Sequence, residues 1–519
     1  MADRHIAIVG AGPGGLTCGM ILAHRGFRVT IFERRDRVGG RNSPLEEAGY
    51  SFDLGPTFLM MRFILDEMFR QVGRDSEDYL QFDWLDPMYR LAFPEFELDI
   101  SPDNRKLKEA IRRHFPGRED GLDEFMEREA VRFQRLYPCL QKPYSSFKEF
   151  FAPVFLKAAP HLSLSRSVFQ NVQRYFEDER LSLCFTFQAK YLGMSPWNCP
   201  GAFTILPYIE HAYGIYHVRG GLWKISEAMA GVVEEEGAQL RLETPVEKLV
   251  TENGAVRGVR LADGQVVEAD EVVLNADFGY AMHDLVEEGL LSKWSPEKLD
   301  RTPLSCSTFM LYLGLDREYD IPHHNIVFAD DYRRNLQDVF DRKVLSDDLS
   351  FYIRNATVTD PTLAPDGHSA VYVLVPVPNN RSDIDWEQRR DDFRELVLDR
   401  MEGRGGMPGL RDHIRFERVI TPDQWESDYR VYRGAVFNLA HNLMHLMYFR
   451  PHNRFEELGH CYLVGGGTHP GSGLPTIYES GRITANMISR VYGLEFAPPE
   501  PLPSTGSPRS AVPRAAVST

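Results

Sequence analysis

A chain of 519 residues has ample material for two domains with cores of their own. Its 59 basic residues against 75 acidic ones leave a net charge of −16, which argues against nucleic acid as a partner and for an acidic, soluble surface. Six cysteines form no CxxC pair and no metal-ligand spacing, so neither a disulfide framework nor a metal site is indicated; they are expected as buried small apolar residues in a reducing compartment.

His5–Val9 reads as a short apolar strand that opens so close to Met1 that no cleaved signal peptide is expected. Gly10-Ala11-Gly12-Pro13-Gly14-Gly15 follows at once, then a helix-forming stretch over 16–25 closed by Gly26, then a second strand, Arg28–Phe32. This strand–turn–helix–strand context makes the glycine pattern a dinucleotide-binding fingerprint. Gly10 permits the tight turn, Gly12 the approach of a pyrophosphate, and Gly15 close packing of helix on strand. The helix N-terminus, beginning beside Gly14, offers N–H groups to the phosphates. Glu33, with Arg34 beside it, ends the second strand where a carboxylate binds ribose hydroxyls and disfavours a phosphorylated ribose. Up to this point NAD and FAD fit equally. Six residues on stands a second doublet, Gly39-Gly40-Arg41, followed by GYSFDLGPTFL with Asp53, Gly55, Pro56 and Thr57.

The blocks at about 60–210 and 300–455 mix helices and strands and are assigned to substrate binding. Residues 147–169 are bulky and apolar with sparse basic residues, broken by Pro153 and Pro160; a membrane-surface segment and a core helix pair are both open readings. Residues 191–209 are uncharged, but Pro196, Pro200 and Pro207 argue against a bilayer-spanning helix. From Tyr216 the chain turns back. A helix is expected over 224–236, then a strand, a three-stranded antiparallel meander with turns at Asn253-Gly254 and Asp263-Gly264, and a strand over 271–275 rejoining the first sheet. Residues 370–377 read as a buried strand that floors the substrate region. In 386–401 the acidic pair Asp391-Asp392 sits among basic residues, with Phe393, Val397 and Met401 as an apolar stripe: a surface helix rather than a metal box. His441 and His445 have zinc-helix spacing, but Asn442 stands where a catalytic glutamate is needed, and a helix face lining core or channel is the better reading. A strand over 461–464 leads into Gly465-Gly466-Gly467, and a helix is expected from about Pro475. Residues 495–519, rich in Pro, Ser and Ala, read as a disordered tail.

Taken together, the fingerprint, Glu33, Val38-Gly39-Gly40-Arg41 and the Asp53-x-Gly55-Pro56-Thr57 segment resemble the FAD-containing amine oxidase and phytoene desaturase superfamily. The closing run Thr468-His469-Pro470-Gly471-x-Gly473-x-Pro475 and the middle motif from Glu210 to Gly221 are similar to those of bacterial carotenoid desaturases. GPTFLMMRFILDEMF, FQAKYLGMSPWNCP, SCSTFMLYLGLD and PHNRFEEL carry a closer resemblance to the thirty-carbon branch, the 4,4'-diapophytoene (dehydrosqualene) desaturases.

The resemblance implies an α/β protein with a discontinuous Rossmann-type FAD-binding domain over 1–60, 215–300 and 455–493, and a mixed α+β substrate-binding domain over 61–214 and 301–454. The FAD contacts it implies are Gly10, Gly12, Gly14, Gly15, Glu33, Arg34, Gly39, Gly40, Arg41, Gly55, Pro56 and Thr57, then Val246 to the adenine, Asn275, Gly466, Gly467, Gly473, Leu474 and Pro475. The implied reaction is desaturation of a thirty-carbon isoprenoid by hydride transfer to flavin. A terminal-methyl carotenoid oxygenase, a forty-carbon phytoene desaturase, a flavin amine oxidase and a non-enzymatic carrier of the same fold are the competing readings. Glu210, His217 and Glu479 are the candidate proton acceptors, although for any one of them a hydrogen bond to flavin or a structural salt bridge is the better reading. An apolar substrate held in lipid implies peripheral attachment to the cytoplasmic face of the membrane; oligomeric state is left open.

Overall fold

In a computed structural model, which describes residues 4–504, His5–Val9 is the middle strand of a five-stranded parallel sheet. The order is Cys461–Leu463, Glu271–Leu274, His5–Val9, Arg28–Phe32, Gln239–Arg241. Parallel neighbours this far apart in sequence need long crossovers, so segments from the start, middle and end of the chain share one sheet. Side chains alternate between its faces. Ile6 and Ile8 join the core under the helices Pro13–His24, Lys224–Glu235 and Leu474–Val491. Ala7 and Val9 pack instead with Leu249, Val256 and Val259 of the meander Val246–Glu252, Ala255–Leu261, Val266–Glu268. The sheet is Rossmann-type, with the meander on the face opposite the helices.

A second sheet has seven strands in the order Ile414–Ile420, Ser307–Leu315, Ser369–Val377, Phe351–Asn355, His324–Val327, Tyr89–Ala92, Glu97–Ile100. Its pairs are antiparallel except that His324–Val327 runs parallel to Tyr89–Ala92. Period-two alternation assigns its faces. Val371, Val373 and Val375 pack with Val397 and Met401 of the helix Trp386–Gly403, whereas Tyr372, Leu374 and Pro376 line a cavity between this sheet and the first.

Several local expectations are corrected. The first helix begins at Pro13 rather than 16, because Gly12 is its N-cap and proline at the first helical position has no N–H to lose. His441 and His445 share no helix face. Asn442 accepts from Met444 N at 3.0 Å and Met447 has positive φ, so the segment breaks into the turns Leu443–His445 and Met447–Phe449. The segment around 147–169 is cut at its prolines into Phe147–Phe151, Pro153–Ala158 and Ala159–His161. Of the expected tail, residues 505–519 lie outside the described residues. Residues 495–504 run along the body, where Glu500 accepts from Arg70 Nη2 at 2.7 Å and its N–H donates to Glu67 at 2.8 Å.

Candidate active site

Where the two sheets face one another there is a cavity of about 690 Å3. Its first end is built from backbone turns. Gly10, Gly12 and Gly14 line it below the N-terminus of the helix Pro13–His24, which has no side-chain cap and so leaves its N–H groups free to face an anion. Gly15 lies just behind: a Cβ there would sit 2.4 Å from Gly10 O, so only glycine lets helix and strand close. Glu33 is buried, accepting from Ala11 N at 2.8 Å through one oxygen and from Arg35 N at 3.0 Å through the other. This fixes the carboxylate at the cavity rim with lone pairs left for hydroxyls. Arg34, Gly39, Gly40, Arg41, Gly55, Pro56, Thr57, Val246 and Asn275 all line the same cavity. Asn275 donates to Gly10 O at 3.0 Å, joining the returning strand to the first turn. Arg41 donates to Val436 O at 2.7 Å and lies 3.8 Å from Asp277, whose own carboxyl is pushed up by burial despite that arginine.

The closing segment supplies the opposite wall. Gly466, Gly467, Gly473, Leu474 and Pro475 line the cavity, and Gly473 caps the helix Leu474–Val491, again with no side-chain acceptor on its free N–H groups. A long groove flanked by two uncapped helix N-termini, with a carboxylate at one end, fits a dinucleotide bearing a pyrophosphate. The residues present therefore fit FAD. Arg450, which nothing in the sequence pattern singles out, holds this wall from behind. It is fully buried and donates to Gly466 O at 2.6 Å, Thr468 O at 3.1 Å and His445 O at 3.0 Å.

Beyond the glycine turns the cavity is apolar, walled by Phe58, Phe187, Tyr191, Met310, Phe351, Tyr352 and Leu374. Tyr352 donates to Thr57 Oγ1 at 3.0 Å and lies 2.6 Å from His324 Nδ1. One charged residue faces this end, Lys190, which is absent from the candidates that the sequence motifs suggest. Its signal was present: it is the single charge between Arg180 and Glu210.

None of Glu210, His217 and Glu479 lines the cavity. Glu210 lies behind Tyr191, fully buried, and accepts from Tyr89 Oη at 2.9 Å and Gln188 Nε2 at 2.8 Å; burial pushes its carboxyl up to about 7. His217 is held 3.1 Å from Asp360 and 3.1 Å from Arg354, which in turn donates to Asp53 at 2.6 Å. That buried network ties the Asp53 segment to the second sheet and engages both ring nitrogens of His217. Glu479 is paired with Arg482 one helical turn on.

Residues 13–489 match the family model of flavin containing amine oxidoreductases. The chain is 53% identical over 493 residues to a 4,4'-diapophytoene desaturase (4,4'-diapolycopene-forming) of Methylomonas sp, covering 95% of this chain and 96% of that one. It is 37% identical to an all-trans-zeta-carotene desaturase of Myxococcus xanthus, covering 94% of each. An oxidoreductase from Methanosarcina mazei, 17% identical, superposes with a TM-score of 0.61 over 92% of this chain and 99% of that one, a likeness of fold.

Proposed function

The chain belongs to the flavin containing amine oxidoreductase family, and from that premise we propose that it is an FAD-dependent desaturase setting conjugated double bonds into a thirty-carbon isoprenoid of the 4,4'-diapophytoene type. The observation that carries this reading is the continuity of the dinucleotide cradle with an apolar chamber walled by aromatic and aliphatic side chains.

Bound FAD supplies the hydride acceptor. Gly10, Gly12, Gly14 and the helix N-terminus behind them would hold its pyrophosphate, Glu33 its ribose hydroxyls, and Pro245 and Val246 its adenine; Gly466, Gly467 and the N-terminus of Leu474–Val491 would hold its ring system. Phe58, Tyr191 and Tyr352 exclude water and bind the hydrocarbon, with apolar burial contributing about 25 cal/mol per Å2. Their ring faces also stabilise positive charge that develops on an allylic carbon as hydride leaves. Burial raises fully buried Glu210 to about 7, so below neutral pH it is mostly protonated and adds little negative charge behind Tyr191.

Membrane docking belongs to the same reading. No helix among the described residues is long and apolar enough to cross a membrane. What supports peripheral attachment is one surface formed by two segments: Phe151 is 67% exposed, Leu164 59% and Met444 64%. The segments meet where Phe147 and Tyr448 rings lie 6.0 Å apart and Phe150 and Phe449 6.3 Å apart. Grouped exposed aromatics of this kind suit the headgroup–acyl boundary of the cytoplasmic leaflet, from which the substrate would be drawn.

The proposal is tested by adding liposomes loaded with 4,4'-diapophytoene to the FAD-loaded protein without oxygen. Loss of the oxidised flavin absorption on addition of loaded but not empty liposomes is expected. No loss with either would count against it.

A further inference from the structure

The desaturation chemistry above needs a proton acceptor, and none of the three carboxylate and imidazole candidates touches the cavity. Lys190 does. Its Nζ donates to Ser350 Oγ at 2.7 Å, and Ser350 Oγ donates onward to Val327 O at 2.8 Å. The serine proton is thus committed, so the serine accepts from the lysine. The Tyr332 ring centre lies 4.6 Å from Nζ and that of Phe328 5.8 Å. No carboxylate among the described residues pairs with it, and its titratable neighbour is the Cys306 thiol on the same cavity wall.

The position along the cavity is set by packing. A Cβ on Gly193, three residues on, would lie 2.7 Å from Ser305 Cβ and 2.9 Å from the Phe437 ring. Ser305 Oγ accepts from Phe437 N at 3.1 Å, and Ser472 Oγ donates to Phe437 O at 2.7 Å. The Lys190 segment, the Ser305–Cys306 segment and the closing glycine turn therefore meet on one wall of the cavity.

We propose that the Lys190 amine is the catalytic base that takes the proton in each desaturation step, an inference that rests on the desaturase reading. Two C–H bonds on adjacent carbons break. One electron pair leaves with hydrogen as hydride to the oxidised flavin; the other becomes the new C=C bond as its proton bonds to the Nζ lone pair. The ammonium then returns that proton to solvent. Burial lowers Lys190 to about 7, because an ammonium in an apolar wall without a counter-ion is poorly solvated. The neighbouring Cys306 thiol, pushed up to about 12 by burial, and the Tyr332 and Tyr352 phenols, also pushed up by burial, stay neutral and do not restore the charge. A neutral amine also avoids opposing the positive charge that develops on the substrate.

The test uses the full chain with FAD and liposomal 4,4'-diapophytoene, comparing wild type with Lys190→Met and Lys190→Arg. Both variants are expected to keep bound flavin and to reduce it about 100-fold more slowly; ethylamine is expected to restore the rate of Lys190→Ala in proportion to its free base. A Lys190→Arg variant that keeps the wild-type rate would assign the lysine a merely cationic role and overturn the proposal. A second readout needs no turnover: the pH dependence of Lys190 acetylation by acetic anhydride, followed by peptide mass spectrometry on wild type. Half-reactivity near pH 7 is expected, and an ordinary lysine profile centred above 10 would overturn the assignment. If wild type leaves the hydrocarbon unchanged, the desaturase reading fails, while the labelling profile still decides the state of the lysine.

Discussion

Arg450 Nη2 donates to the carbonyl oxygen of Gly466 at 2.6 Å, so a fully buried guanidinium is fixed to the glycine turn that closes the cavity. Its other bonds also go to backbone carbonyls rather than to a carboxylate, and burial lowers it to about 9. Replacing it by leucine would leave those carbonyls unsatisfied, at about 1–3 kcal/mol each. Arg450→Leu is expected to lower the thermal midpoint and to lose FAD on gel filtration, as read by the flavin-to-protein absorbance ratio. Retained flavin at full occupancy would show that the turn holds its shape without the arginine.

Glu33 accepts from Ala11 N and Arg35 N and keeps lone pairs for a ribose. Glu33→Ala removes a charged acceptor, an interaction worth about 1.5–3 kcal/mol. FAD affinity is expected to fall about 10- to 100-fold in titrations of deflavinated protein. An unchanged affinity would move the ribose elsewhere.

Glu210 carries a pH dependence whose sign follows from its burial. In the unfolded chain it ionises near 4.5, whereas in the folded chain it holds its proton up to about 7. Its stability contribution is therefore fully present below pH 4.5, declines as pH rises from 4.5 to 7, and is constant above, the decline being about 3 kcal/mol. Glu210→Gln keeps an acceptor for Tyr89 and Gln188 and has no proton to lose. Denaturant unfolding at pH 5 and pH 8 should show the wild type losing more stability between the two than the variant does.

Phe151 and Met444 project from the two segments of the exposed apolar surface. Phe151→Ser combined with Met444→Ser is expected to reduce co-sedimentation with phospholipid vesicles several-fold, because each Å2 of apolar surface that no longer inserts weakens binding by about 25 cal/mol. Flavin content and thermal midpoint should not change, since neither side chain is buried. Equal sedimentation of variant and wild type would place membrane contact on another face.

The parts of this molecule legible in its sequence are those whose signal is local. His5–Val9 and Arg28–Phe32 are apolar runs bounded by turn residues, and their strands begin and end as the pattern predicts. The meander follows from Asn253-Gly254 and Asp263-Gly264. What the sequence hides is decided by partners distant along the chain. His217 and Glu479 sit in motif-rich segments, yet Asp360 and Arg354 hold the first and Arg482 pairs with the second, away from the cavity. Arg450 looks like an ordinary surface arginine until Gly466 and Thr468 fold back onto it. Lys190 left a trace, a lone charge in a long uncharged stretch, but only the fold turns that trace toward the cavity.

The central claim is that this cavity removes hydrogen from a thirty-carbon isoprenoid, and product mass spectrometry tests it most directly. Purified protein with FAD and liposomes carrying 4,4'-diapophytoene should yield products lighter by successive pairs of hydrogen atoms, with visible absorption growing as conjugation lengthens. Products heavier by oxygen, or an unchanged hydrocarbon beside fully bound flavin, would contradict the account.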